Sequence, residues 1–186
     1  MANFLTFVLS NFTLTFFVIG LLFAFGVLAP KPKPLQKKQI IEALFSYFLL
    51  FSIGISYLYN FIMHVFFAEM AATFIGWENS PFQYEVGFAS LGFGIVGLIA
   101  FRQTLAFRAA AVIGPSLFLW GAAGGHVYQM ISNHNFSSGN AGVIFWTDVI
   151  LPIVAFFLLY QQYTLEPLGA EPYKPNSGDA KARAAD

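Results

Sequence analysis

Cysteine is absent from the 186 residues, and charge is scarce: Asp, Glu, Lys and Arg make up 10% of the chain, where soluble domains carry about 25%. Without cysteine there is no disulfide framework, no thiolate-held zinc or iron–sulfur centre, and nothing to acylate. Nine Lys and Arg balance nine Asp and Glu, so the basic excess of a nucleic-acid binder is missing too, and no nucleic acid partner is expected. What fills the chain is apolar: 58% is hydrophobic, 19% is aromatic, and 24 residues are Phe. That rules out a disordered polypeptide. It predicts an all-α polytopic membrane helix bundle with the lipid bilayer as its main partner.

A membrane helix needs roughly 20 mostly apolar residues. Five segments meet this: about Phe4–Leu28, a stretch within Ile40–Phe74, Phe82–Phe101, Ala106–Met130 and Gly142–Tyr163. Pro30, Pro32 and Pro34 end the first, Arg102 and Arg108 flank a short turn, and Ser132–Asn140 is a polar loop. The domain is expected to cover residues 1–165. Residues 166–186, with Pro167, Pro172 and Pro175, read as a disordered cytoplasmic tail. The first segment lacks a basic n-region and is read as a retained helix, not a cleaved signal peptide. Helix two is too long for one crossing, since Ile40–Phe74 would reach about 52 Å at about 1.5 Å per residue. Its end, Phe66–Trp77, is expected to turn along the outer interface.

The cations set the orientation. Lys31, Lys33, Lys37, Lys38, Arg102, Arg108, Lys174, Lys181 and Arg183 all fall on one side of a five-helix thread. The positive-inside rule makes that side cytoplasmic, with the N-terminus outside and the C-terminus inside.

Small residues mark where membrane helices meet. Gln83, Gly87, Ser90, Gly94 and Gly97 form one stripe on helix three, and Ala89, Gly92 and Val96 a second, which predicts a central helix. Gly121 and Gly125 form a small-xxx-small pair on helix four. Ser80-Pro81-Phe82-Gln83 reads as a capping box.

Ionisable residues inside spans are costly and default to a functional reading. His64, Glu69, Glu85, His126 and Asp148 come from four helices, and the thread places all of them in the extracytoplasmic half. Asn60, Gln83, Tyr128 and Gln129 are the supporting polar groups at that depth, and His134 lies in the outer loop. Two imidazoles with carboxylates suit Zn²⁺, Mn²⁺ or Fe²⁺ by ligand type. A haem held by His64 and His126 is a weaker alternative. Each residue also has a structural explanation: a hydrogen-bonded seam Ser52, Ser56, Asn60, His64; a solvated Glu69; a Glu85 favoured by its helix N-terminus; a carbonyl-bonded His126. Asp148 resists such an account most, because Pro152 leaves its carbonyl without a donor.

The strings Gly76-Trp77-Glu78-Asn79-Ser80-Pro81-Phe82-Gln83-Tyr84-Glu85-Val86-Gly87 and Gly121-Ala122-Ala123-Gly124-Gly125-His126-Val127-Tyr128-Gln129 resemble an uncharacterised family of small multi-pass prokaryotic membrane proteins. The resemblance implies a bacterial or archaeal plasma membrane and carries no activity. Three functions stay open: a binding or transport-related protein with a metal or small polar ligand at the outer face; an accessory subunit docking on a larger complex or on itself; and an enzyme acting on a lipid or isoprenoid through Glu85, Asp148 and His126. A pump or channel is disfavoured, because no polar path is evident through the inner half.

Overall fold

Helices form where the apolar runs lie, and their ends fall at the punctuation between them. The computed structural model describes residues 2–166, with side chains from Phe4 onward. Apart from Glu166, the expected tail lies outside the described residues. All regular structure among those residues is helical: α1 (Ala2–Ser10), α2 (Phe12–Leu28), α3 (Lys37–Tyr47), a π-helical stretch Phe48–Ile55 leading directly into α4 (Ser56–Phe66), α5 (Ala68–Ile75), α6 (Phe82–Ala100), α7 (Leu105–Ser132), α8 (Ser138–Ala141) and α9 (Val143–Leu165). Among the described residues, four helices are long and apolar enough to cross a membrane, and α1 with α2 makes a fifth if the bent pair counts as one span.

That bend corrects the first expected helix. The run Phe4–Leu28 breaks at Asn11 and turns by 92°. At the corner, Asn11 Nδ2 donates to the Phe7 carbonyl at 2.8 Å, Thr15 Oγ1 to Val8 at 2.8 Å and the Tyr59 hydroxyl to Leu9 at 3.2 Å. Side chains meet the carbonyls that the broken ladder would leave bare, so the chain turns without orphaned backbone groups. Helix two ends where its length requires. Phe67 leaves helical geometry at φ −128°, ψ 35°, and α5 continues as a separate short helix. Gly76 closes α5 at φ 75°, a left-handed conformation that suits glycine.

The central element is α3–π–α4, not α6. Its span is 67% buried, against 28% for α6. One stripe of α6 behaves as expected. A Cβ on Gly97 would lie 2.6 Å from the Gly54 nitrogen, and one on Gly94 would lie 2.9 Å from Leu58 side-chain atoms. Gly87 likewise admits Val65, and Ser90 is fully buried. Most of the second stripe faces outward: Ala89 and Gly92 are exposed, and nothing lies within 4 Å of a Cβ on Gly92, whereas Val96 packs against the core. The Gly121/Gly125 pair is not a helix–helix contact either. Gly121 faces open space, and Gly125 takes the edge of the Trp77 ring at 3.4 Å. The apolar core forms where Phe45, Leu49, Ile53 and Tyr57 meet Ala111 and Val112 of α7 and Leu151 and Ala155 of α9.

One end of the bundle gathers the described cations, and Arg108 is at its centre. It is 1% exposed. Its guanidinium grips Glu42 with both terminal nitrogens at 2.8 Å and reaches Gln162 Oε1 at 3.1 Å, Ser46 Oγ at 3.0 Å and the Phe101 carbonyl at 2.9 Å. Gln162 Nε2 donates to Glu42 at 2.8 Å. This fork-to-carboxylate geometry ties α3, the α6–α7 turn, α7 and α9 together.

Two outcomes follow for unfolding of the detergent-purified protein. Gly97→Ala should destabilise by about 2 kcal/mol through overpacking, while Gly92→Ala, in open space, should be neutral or slightly stabilising. Glu42→Ala leaves Arg108 buried without its carboxylate and should cost about 3 kcal/mol.

Candidate functional site

The opposite end holds the remaining polar side chains, and its geometry starts from Asn140. The α8 turn buries Asn140 completely. Its amide can face only one way. The Trp77 indole N–H, which can only donate, meets Asn140 Oδ1 at 2.8 Å. Asn140 Nδ2 then donates to the carbonyls of Asn135 at 2.9 Å and His126 at 3.2 Å. With Oδ1 fixed as the acceptor, its contact with His126 Nδ1 at 2.8 Å requires a proton on Nδ1.

The consequence falls on the other ring nitrogen. A neutral imidazole protonated on Nδ1 carries a lone pair on Nε2. That atom points at Asp148 Oδ2, 3.6 Å away. Both residues are buried, His126 at 5% exposure and Asp148 at 4%. No other donor among the described residues reaches the Asp148 carboxylate. The neighbouring Thr147 hydroxyl is committed to Thr13 Oγ1 at 2.7 Å and to backbone carbonyls, and the Tyr57 hydroxyl donates to Pro115 at 3.0 Å. With Asp148 ionised, two acceptors face each other at residues only 4–5% exposed, a costly arrangement unless a positive charge completes it. Trp77 and Phe145 wall the imidazole, with ring centroids 5.4 and 6.5 Å away.

The five expected site residues do not converge. His126 and Asp148 meet. His64 faces the α4–α6 seam, where its Nδ1 bonds Gln83 Oε1. This also undoes the expected capping box, since α6 has no side-chain cap bond and the Gln83 carbonyl oxygen is engaged by His64. Glu69 is exposed and accepts from Asn79 at 2.7 Å. Glu85 is exposed, with no ion pair among the described residues. Glycines on α6 let it close against α4, and that seam holds His64 away from the α7–α9 pair. Among the supporting groups, Asn60 bonds Ser90 in the same seam at 2.9 Å, Tyr128 is 64% exposed, and Gln129 holds Asn133 at 2.6 Å. His134 sits in an exposed turn.

Among the described residues no group of three or more His, Asp or Glu is arranged to hold a metal. A Zn²⁺, Mn²⁺ or Fe²⁺ site takes more protein ligands than the two that meet here. The two imidazoles named for a haem have different partners, His64 bonding Gln83 and His126 bonding Asn140.

Three residues escaped the sequence reading. Asn140 was visible only as part of a polar loop, and no local spacing marks it as an anchor. Arg108 reads in the sequence as a charge flanking a turn. Glu42 carried a usable signal, because it is the only carboxylate before Glu69 and sits in a helical apolar pattern. Such a group requires a cation.

An all-α bundle with several spans of membrane length and, among the described residues, one buried imidazole–carboxylate pair is the class that fold and site define. The chain belongs to a family of unknown function (DUF6790), whose model matches residues 10–167. No curated protein and no solved structure matches it.

Asn140→Ala strands the Trp77 indole and frees His126 Nδ1, and should lower unfolding stability by at least about 2 kcal/mol. Glu85→Gln, at an exposed position, should stay within about 0.5 kcal/mol. Thermal unfolding of both variants in one detergent checks the contrast.

Proposed function

We propose that this is an integral protein of a prokaryotic plasma membrane, and that its His126–Asp148 pair, near the extracytoplasmic end, binds a single small cation, namely a proton. Insertion is supported by the exposed apolar side chains, among them Phe4, Leu22, Ile131 and Trp146, which need lipid as their solvent. Orientation is supported by Lys31, Lys38 and Arg102, which line one cavity at the end opposite His126. By the positive-inside rule that end is cytoplasmic, the N-terminus is outside and the bent first segment counts as the fifth crossing.

One observation carries the ligand assignment: His126 Nδ1 is held by Asn140 as a donor while Nε2 faces a buried carboxylate across 3.6 Å. That gap exceeds a hydrogen bond by roughly 0.6 Å, which a small side-chain movement closes around a proton. With the proton on Nε2 the pair is an imidazolium and a carboxylate; with it on Asp148 the acid donates to the ring. Either way the pair binds one positive charge and needs no third ligand.

The other readings draw less support. Docking as an accessory subunit rests on the same exposed apolar surface that lipid covers. Enzymatic acid–base work needed Glu85 beside the pair, and Glu85 is exposed. The inner half is more polar than expected, with Arg108, Ser46, Ser52 and Gln162 buried there. Ser52 Oγ is a buried hydroxyl without a partner among the described residues. The earlier objection to a polar path therefore weakens.

Infrared difference spectra of reconstituted protein, taken between mildly acidic and alkaline buffer, test the assignment. The wild type should show bands from one buried carboxyl–imidazole pair. Asp148→Asn should remain folded, because its amide N–H can donate to Nε2, and should lose those bands. Spectra unchanged by the substitution would contradict the proposal. So would stoichiometric zinc, manganese or iron retained by the wild type and lost by Asp148→Asn.

A further inference from the structure

The basic end contains an open groove of about 360 Å³ beside the Arg108 clamp and apart from the proton site. It lies between the end of α2, the first turns of α3 and the α6–α7 turn. Lys31, Lys38 and Arg102 line its polar side, and Val27, Tyr47 and Phe101 its apolar side. Its volume falls within the range of small-ligand sites, about 300–1,000 Å³.

Charge decides what it would take. Lys38 pairs with Glu166, whereas no carboxylate among the described residues pairs with Lys31 or Arg102. The Arg102 guanidinium rests on the Phe101 ring, 5.1 Å from its centroid, and makes no hydrogen bond among the described residues. The side chain is exposed, so its fork is free to take a phosphate. Glu42 also lines the cavity, but both its oxygens are held by Arg108, at 2.8 Å each. Its negative charge is therefore compensated from beneath. The remaining field is cationic, next to an apolar wall.

We propose that this cavity binds the phosphate of an anionic phospholipid, gripped by Lys31 and Arg102, with the glycerol and first acyl carbons against Val27 and Tyr47. Val27 is 37% exposed beside these cations, and that apolar surface favours a lipid over free phosphate. Basic pockets between membrane helices on the cytoplasmic side bind such head groups. The proposal rests on the membrane reading and is independent of the His126–Asp148 pair.

Native mass spectrometry of the full chain, released from micelles doped with phosphatidylglycerol or phosphatidylcholine, tests it. The wild type should retain one phosphatidylglycerol in preference to phosphatidylcholine. The double variant Lys31→Gln/Arg102→Gln should weaken that retention by about tenfold. Lys33→Gln/Lys37→Gln removes the same charge from the same end outside the cavity and should change it less than about twofold. Equal loss in both variants would replace the site with diffuse surface charge and overturn the proposal. Equal retention of the two lipids would overturn it while leaving the membrane reading intact, and retention of neither would overturn both. Displacement of the lipid by inorganic phosphate alone would assign the site to free phosphate instead.

Discussion

The bond from the Trp77 indole to Asn140 Oδ1, 2.8 Å long, fixes the polar end of the bundle. An indole has no acceptor to offer, so the amide cannot flip without opposing two donors. Everything downstream inherits that direction: the two carbonyls that Asn140 Nδ2 serves, the proton on His126 Nδ1, and the lone pair that Nε2 presents to Asp148. In water such a pair would be relieved by solvent. Inside a buried seam, the proposed reading completes it with a proton.

The two ends solve the same problem differently. At the basic end, Arg108 is surrounded by a carboxylate, an amide, a hydroxyl and backbone carbonyls, so its donors are largely met within the protein. At the far end His126 Nε2 and the Asp148 carboxylate face each other across 3.6 Å, with no other donor to the carboxylate among the described residues. The first arrangement clamps helices. The second leaves an opening for chemistry. Between them runs the long α3–π–α4 element, and π-helical segments of this kind occur often at functional sites. Here the stretch contains Gly54, whose close approach to Gly97 brings α6 against the central helix, and the unpartnered hydroxyl of Ser52.

Much of the fold was legible from the amino-acid pattern. The third, fourth and fifth apolar runs became α6, α7 and α9 within a few residues of the expected limits, because length and hydrophobicity decide them. The break after Phe66 followed from the arithmetic of helix length. The corner at Asn11 did not, since the Asn11 and Thr15 bonds that serve it are joined by one from Tyr59 on another helix. Small residues located one α6 stripe correctly and misplaced the other, because a glycine records space without saying whether a helix or lipid fills it. The site was half legible. His126 and Asp148 stand out as costly groups in apolar runs, but nothing local shows that His64 turns toward Gln83 or that Asn140 anchors the ring. Those are long-range choices, made when α4 closes on α6 and α8 folds beneath Trp77.

The central claim concerns which nitrogen of one ring carries a proton, and nitrogen-15 resonances of labelled histidine report that directly. With His64→Gln and His134→Gln, the remaining imidazole signal belongs to His126. The account predicts a protonated Nδ1 in every state of the membrane-reconstituted protein, with Nε2 either protonated or accepting from Asp148. A neutral ring with its proton on Nε2 and a bare Nδ1 would contradict it, because Asp148 would then already have its donor and the pair would need no cation.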